Sequence, residues 1–438
     1  MPKAELTFLE IIERIENGQP VHGIAGTGWR NGDKNEFSPT RAFITDLDDL
    51  ASPYDYFPIN YLLTSRGCPF HCTFCVSSSV WGRKTRRYSM DHVMGLIEKI
   101  VVKRKANQLR FYDETLTASR TRTLALCKYI VEKKLNFIWS CNTRVDSLNE
   151  ELLHAMRLAG CKKIQLGVES GSPTILETIK KNIDPEKAKT ISLMARKYGI
   201  EIGFYMIVGN RGESLETFTQ SVQLIHDAQP FEFDFTYLQL LPGTEELEIY
   251  KQENNVTSDL FFAWDYHIFK YGFLDNVFGT VKENIQSWTK CYDKCLGSSF
   301  FSIKEAEEIL ERLDGLHSAH MDLAGAYLRA GQPDQAEPHV WAAFEKGYPL
   351  LDLIFNYLGI IAAFCGDFVT VESYLQRGAN MNNNLYIVEN HRRYRSWVEL
   401  CKSGGKHELR LIANNNVGAN QAWQELIVTA SDLVDDTV

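Results

Sequence analysis

The feature that most constrains this fold is an alternation of two periodicities between residues 59 and 241. Short runs rich in apolar, β-branched and aromatic residues stand at INYLLTS (59–65), QLRFYD (108–113), NFIWSCN (136–142), KKIQLGV (162–168), IEIGFYMIVG (200–209) and FEFDFTYLQL (231–240). Between them lie amphipathic segments of helical length: MDHVMGLIEKIVVKRK, SRTRTLALCKYIVEKK, NEELLHAMRLAG, PEKAKTISLMARKYG and LETFTQSVQLIHDA. Six strands separated by five helices predict βα units on a parallel sheet. No Rossmann G-x-G-x-x-G accompanies them, so a complete or open barrel fits better, with function at the C-terminal ends of its strands. The expected class is α/β, a partial (β/α)₆ TIM-type barrel.

The flanking regions read differently. Residues 1–58 begin with a short acidic amphipathic helix and continue as an irregular linker rich in Asp, Pro, Gly and Asn. The barrel and its C-terminal extension take residues 59–300. The extension holds FFAWDYHIFKYGF (261–273), read as a cover over the barrel mouth or a wall of the substrate pocket. From 301 to 425 the chain reads as helices only. LAGAYLRAGQPDQAEPHVWAAFEKG (323–347) and LGIIAAFCGDFVTVESYLQRGA (358–379) place Gly331 and Gly366 35 residues apart. That is near the period of about 34 residues in tetratricopeptide repeats. The expectation is an all-α, tetratricopeptide-like domain that leans on the barrel, because two repeats are too few for a free solenoid. Residues 426–438 read as a frayed acidic tail.

Composition limits the partners. A net charge of −9 leaves no bulk electrostatic footprint for nucleic acid. No signal peptide is legible, and no apolar run approaches the roughly 18–20 residues of a membrane span. The reading is a cytoplasmic protein whose ten cysteines are core residues, metal ligands or redox groups rather than disulfides.

Three of those cysteines carry the chemistry. SRGCPFHCTFC (65–75) puts Cys68, Cys72 and Cys75 directly after the first strand. A closed zinc site wants a fourth ligand, and only His71 is near. Three thiolates on a 4Fe–4S cube leave one iron open to chelate a substrate or cofactor. With Phe74 before the last cysteine, the motif resembles that of radical S-adenosylmethionine (SAM) enzymes, whose partial barrels carry C-x₃-C-x₂-C after strand one. The resemblance covers roughly residues 40–300. It implies an oxygen-sensitive enzyme in which a 4Fe–4S cluster reductively cleaves SAM to a 5′-deoxyadenosyl radical that abstracts hydrogen from substrate.

The same resemblance assigns further positions. Asp113 and Glu114, in FYDET after strand two, contact the SAM ammonium, or are plain loop acids. Arg144, in NTRVD after strand three, grips the SAM carboxylate. Glu169 or Ser170, in LGVESGS after strand four, bond the ribose. Arg144 and Glu169 as a simple ion pair is the competing reading. Gly209 and Gly212, in IVGNRGES after strand five, bring backbone to the adenine, with Arg211 where the family has Pro. LLPGTEE (240–246) matches a Pro-Gly-Thr turn of the cobalamin-dependent branch, as does the linker HGIAGTGWRNG. Cobalamin binding there uses a D-x-H-x-x-G loop, and His22 lacks the Asp two residues before it.

Three accounts follow: lost cobalamin use, a corrinoid domain on a separate chain, or an incomplete start. The first reading is epimerisation, cyclisation, dehydration or oxidation of an unidentified organic or peptide substrate. Cobalamin-dependent methyl transfer with the corrinoid on another chain is the alternative. A degenerate barrel acting as a tetratricopeptide-type scaffold for a protein partner is a third. Cys291 and Cys295 are candidate hydrogen donors, or with Cys365 and Cys401 ligands of a second cluster, or without role. WGRKTRRYS (81–89) is a solvated loop, or a patch for a substrate phosphate or a flavodoxin- or ferredoxin-type electron donor.

Overall fold

The computed structural model describes residues 4–32, 34–255, 300–381, 385–402, 407–413 and 425–428. Six strands form one sheet in chain order: β1 (Tyr61–Leu62), β2 (Gln108–Phe111), β3 (Ile138–Thr143), β4 (Cys161–Glu169), β5 (Glu201–Val208) and β6 (Glu232–Tyr237). Every neighbouring pair is parallel. β1 and β6 are the two edges, so the sheet is the open half-barrel expected from the sequence.

Helix α1 (Ala4–Glu16) precedes the sheet, and α2 (Ser77–Trp81) and α3 (Met90–Glu98) follow β1. Next come α4 (Arg120–Glu132), α5 (Glu150–Leu158), α6 (Pro173–Thr178), α7 (Pro185–Lys197), α8 (Leu215–Ala228) and α9 (Glu245–Asn254). All five amphipathic segments of the barrel are therefore helical. Their starts are chemically marked. The Asn149 and Ser214 side chains accept from backbone N–H groups of α5 and α8, and Asp184 precedes Pro185 at the first position of α7.

Strand alternation divides the sheet's two faces. Leu109, Phe111, Trp139, Cys141, Ile164, Leu166, Ile202, Phe204 and Met206 face the helices and pack with Leu126, Ile130, Leu152, Ile191 and Ile225. Each such side chain contributes about 1.5–3 kcal/mol by leaving water. Cys127, Cys141 and Cys161 are buried in this core and pack there as small apolar side chains.

Two expectations need correction. The linker before the barrel is not wholly irregular: Gly28–Asn31 pairs antiparallel with Lys34–Phe37. Nor is the C-terminal region helices only. After α10 (Ile303–Arg312), α11 (His317–Arg329), α12 (Pro333–Glu345), α13 (Leu351–Phe364), α14 (Phe368–Met381) and α15 (Leu385–Lys402), strands β7 (Leu409–Ile412) and β8 (Glu425–Val428) pair antiparallel. Leu409, Leu411, Leu426 and Val428 are buried against the helices. Asn390 of α15 accepts from the Ile412 N–H at 2.7 Å and donates to its carbonyl at 2.8 Å. The pairing carries ordered structure to Val428, past the start assigned to the tail. As expected, Gly331 and Gly366 turn α11 into α12 and α13 into α14, with φ of +69° and +74°.

The helical unit packs against the N-terminal ends of the barrel strands. Asn107 and Asn136, before β2 and β3, donate to the carbonyls of Pro349 and Gly347. Asp322 of α11 accepts from Arg157 at 3.1 Å and from Lys162 at 2.7 Å, and Lys162 lies 3.4 Å from Glu201. All four residues are buried. No helix among the described residues is long and apolar enough to cross a membrane.

Charges without water are tolerable only while paired. Asp322→Ala leaves Arg157 without its carboxylate and is expected to destabilise the chain by about 3–5 kcal/mol. Urea denaturation followed by tryptophan fluorescence tests this, and an unchanged midpoint would remove the seam as a source of stability.

Candidate functional site

A loop leaves the C-terminal end of β1 and carries the three cysteines across the barrel mouth. It starts at Gly67, whose φ is +101° and where a Cβ would lie 2.6 Å from the Lys84 carbonyl oxygen. Only glycine fits such a turn. Ser65–Arg66 pairs antiparallel with Arg86–Arg87, so residues 82–87 back the loop. In its middle, the Thr73 N–H donates to the Ile179 carbonyl and the Thr73 carbonyl accepts from the Glu246 N–H, both at 3.0 Å. The Ser79 hydroxyl donates to the Gly243 carbonyl. Phe74 packs with Ile207, Leu238, Leu240 and Leu247, making it a wedge against β5 and the exit of β6. The loop thus links the sheet's first strand to its last.

Cys68, Cys72 and Cys75 are half-buried and free. Burial pushes the Cys72 and Cys75 thiols up, while Lys181 and Arg144 pull Cys72 down and the Ser77 N–H pulls Cys75 down. Among the described residues no three His, Cys, Asp or Glu side chains converge closely enough to hold a single metal ion. A cube takes each thiolate on a different iron, so three separate half-buried thiols with cations beside them fit it.

Arg144 and Glu169 are both in ion pairs, but not with each other. Arg144 holds Asp146 in a fork at 2.9 and 3.0 Å and donates to the Lys181 carbonyl at 2.9 Å. Its Nη1 lies 3.9 Å from the Cys72 sulfur, and its guanidinium sits 3.6 Å from the Phe70 ring centroid. With Nε and Nη2 committed, Arg144 serves the cysteine loop more directly than a free carboxylate. Glu169 accepts from Lys181 at 2.9 Å. Its φ is +70°, strained for a residue with a Cβ, and it lies where the β4–β5 register slips.

The two acids after β2 separate in role. Asp113 is fully buried, accepting from the Thr64 N–H at 3.0 Å, the Thr64 hydroxyl at 2.8 Å and the Ser65 hydroxyl at 2.5 Å. It locks the end of β1 and is saturated by this chain, contrary to its expected ligand contact. Glu114 Oε2 is buried with no hydrogen-bond partner among the described residues, and burial pushes its carboxyl up. Ser170 is likewise occupied: its hydroxyl faces that of Ser221 at 3.3 Å and accepts from the Ser172 N–H at 3.1 Å.

The loop after β5 has the positive φ expected of Gly209 and Gly212, at +86° and +79°. The Gly209 and Asn210 N–H groups, however, donate to Glu213 Oε2 at 2.6 and 3.1 Å. Arg211 pairs with buried Glu246 at 2.9 Å, joining the IVGNRGES and LLPGTEE motifs. Lys181, Asn210, Glu213 and Glu246 were not singled out from the sequence. The signal for Glu213 was its place three residues after a turn-forming Asn.

The basic stretch is less of a patch than its composition implied. Arg86 is buried, donating to the Ile44 and Trp81 carbonyls at 2.8 and 2.7 Å over the Phe43 ring. Arg83 faces His71 and, like Lys84 and Arg87, is exposed. Cys291, Cys295 and the aromatics 261–273 lie outside the described residues. Cys365 is exposed and Cys401 half-buried, at the ends of α13 and α15.

Residues 62–225 match the family described as the Radical SAM superfamily. An uncharacterised methyltransferase of Pyrococcus horikoshii is 29% identical over 265 residues, 58% of each chain. A cytidylyl-2-hydroxyethylphosphonate methyltransferase of Streptomyces wedmorensis is 27% identical over 52% of this chain and 51% of its own. An anaerobic magnesium-protoporphyrin IX monomethyl ester cyclase of Rubrivivax gelatinosus is 28% identical over 52% and 44%. The chain thus spans about half the length of these relatives. In fold it is similar to the cobalamin-dependent SAM radical enzyme OxsB, with a TM-score of 0.54 at 15% identity over 90% of this chain and 67% of that one. The methyltransferase TsrM of Kitasatospora setae gives 0.51 at 18% identity over 58% and 54%.

Burial pushes Glu213 up to about 7, against its two backbone N–H bonds. The folded chain therefore holds this proton more tightly than the unfolded one. The ionised form costs stability that is untouched below about pH 4.5, lost progressively to about pH 7 and fully lost above, on the order of 3 kcal/mol. Glu213→Gln keeps an acceptor for Gly209 and Asn210 and should flatten this decline. Melting temperature against pH checks it, and parallel profiles for the two proteins would contradict it.

Proposed function

We propose that this chain, whose residues 62–225 match the Radical SAM superfamily, reductively cleaves S-adenosylmethionine at a 4Fe–4S cluster held by Cys68, Cys72 and Cys75. The observation that carries this is the half-buried trio at the C-terminal mouth, with Arg144 and Lys181 beside Cys72. Held by Cys68, Cys72 and Cys75, such a cluster would supply the electron for reductive cleavage of SAM to methionine and a 5′-deoxyadenosyl radical.

The chain's own residues do the rest. Arg144 and Lys181 offset the negative charge of the thiolates in a partly dry site. Glu114 Oε2, buried and unpartnered, suits an ammonium. Asp113 contributes by fixing the strand end from which the loop departs. Glu213 shapes the β5 exit loop by holding two N–H groups, so any purine edge meets the remaining backbone of residues 211 and 212.

Methyl transfer is the outcome the relatives favour over epimerisation or dehydration, since two of the three named above are called methyltransferases and the third a cyclase. In that reading a corrinoid is held by groups other than residues 1–58, which carry no D-x-H-x-x-G loop.

Anaerobic reconstitution with iron and sulfide, then SAM and dithionite with and without added cobalamin, tests the reading. Cys72→Ala should lose iron loading and 5′-deoxyadenosine release together; release that survives in that variant would sink the cluster assignment. The two neighbouring acids should also part company. Glu114→Gln is expected to weaken SAM binding about tenfold, the loss of roughly 1.4 kcal/mol from one charge-assisted bond, with little change in melting. Asp113→Asn should instead lower the melting temperature. Equal effects on SAM affinity, measured by calorimetry, would contradict the division.

A further inference from the structure

A partly enclosed cavity stands beside β1, an edge strand of the sheet. The linker contributes Leu50, Ser52 and Tyr54 to its walls. Helix α3 contributes His92 and Leu96, and Arg66 comes from the residue pair that backs the cysteine loop. Its volume is about 300 Å³, at the lower end of the range for small-molecule sites. None of its lining residues is among those assigned above to the cluster or to SAM.

Water fills such a space poorly. Room for roughly ten molecules, at about 30 Å³ each, calls for two to four polar partners per molecule. The lining is mostly apolar, and its polar groups are largely taken by one another. Arg66 donates to Glu5 at 2.6 Å and bonds the Tyr88 hydroxyl. His92 lies 3.7 Å from Asp48 and stacks on Tyr88, with ring centroids 4.9 Å apart. The Tyr54 hydroxyl is held by the Leu63 backbone. Two donors are left over. Arg66 Nε and Ser52 Oγ are buried and have no hydrogen-bond partner among the described residues.

We propose that this cavity binds an uncharged apolar molecule about the size of one ring, whose carbonyl oxygen accepts from Arg66 Nε or Ser52 Oγ. The walls favour an apolar body, and the stacked Tyr88 and His92 suit a planar one. Arg66 and Glu5 neutralise each other, and His92 faces Asp48. A charged ligand would therefore leave water and find no free counter-charge. A pure hydrocarbon would leave both donors unmade. A neutral ketone, ester or amide avoids both costs. Arg66 directly precedes Gly67, where the cysteine loop starts, and its guanidinium lies 5.0 Å from the Trp81 ring centroid. An occupant that takes its Nε stiffens the segment from which that loop departs. The inference goes beyond SAM cleavage and does not depend on it.

The test uses the full chain, kept anaerobic, and three probes of one size: acetophenone, ethylbenzene and benzoate. Titrations followed by saturation-transfer NMR read their affinities. Acetophenone is expected to bind at least tenfold tighter than ethylbenzene, which lacks the oxygen, and than benzoate, which adds a charge. Ala51→Trp fills the cavity from an exposed lining position and should abolish the acetophenone signal while circular dichroism shows a folded chain. Ser52→Ala and Arg66→Lys each remove one of the two donors, and one of them should bring acetophenone down to the ethylbenzene value. If Ala51→Trp does not fold, these two variants decide. Equal affinities for acetophenone and ethylbenzene, tighter binding of benzoate, or a signal that Ala51→Trp leaves unchanged overturns the proposal. So does the absence of saturation transfer to all three probes, which would leave water as the occupant.

Discussion

Two backbone hydrogen bonds at Thr73 hold the site in place. A parallel half-barrel has free edges, and a loop that leaves its first strand has no reason to stay over the mouth. Thr73 gives it one, donating to the carbonyl of Ile179 beyond β4 and accepting from the N–H of Glu246 beyond β6. Ser79 against Gly243 and Phe74 against Leu238 and Leu240 extend the seam. The cysteine loop is thus also the strap across the gap between β1 and β6. The placement of the thiols and the closure of the barrel become one property, because moving the thiols means releasing the strap.

The charges around the strap follow from this. Crossing a concave mouth, the loop takes Cys72 away from water, and burial opposes the thiolate that a metal needs. Arg144 and Lys181 answer that cost, and each is itself held by a carboxylate, Asp146 and Glu169. The strained backbone at Glu169 belongs to the same arrangement. Its left-handed φ turns the carboxylate back over Gly167, where only a residue without a Cβ leaves room for it and for the Lys181 ammonium. In a chain of net charge −9, the cations nearest the thiols are fixed by specific partners rather than by bulk composition.

Much of this was legible in the sequence, because periodicity reports burial and burial built the barrel. The six runs and five amphipathic segments became strands and helices since each apolar face had a neighbour to cover it. The cysteine spacing was legible because it is local. What escaped depends on partners distant in the chain. Asp113 and Glu114 are adjacent acids, and only the hydroxyls of Thr64 and Ser65 decide that one is structural. Arg144 and Glu169 were read as ligand contacts, with an ion pair between them as the competing reading; Asp146 and Lys181 pair with them instead. Arg211 stood out as a departure from the family loop, and its reason, buried Glu246, lies 35 residues on. The strands β7 and β8 were missed because a short pair separated by a polar stretch gives little periodic signal.

The division of labour between the two ends of the sheet bears on how the helical unit acts. Asp322, Pro349 and Gly347 meet the barrel at the strand starts, while the thiols, Glu114 and the β5 exit loop stand at the strand ends. The sheet therefore lies between the helical pairs and the mouth. A unit so placed cannot hand a ligand directly to the thiols. Its buried ion pairs instead close the barrel floor, where Lys162 and Glu201 would otherwise face water at the open ends of β4 and β5. With the floor closed by charge pairs and the mouth strapped by the cysteine loop, the concavity is bounded at both ends.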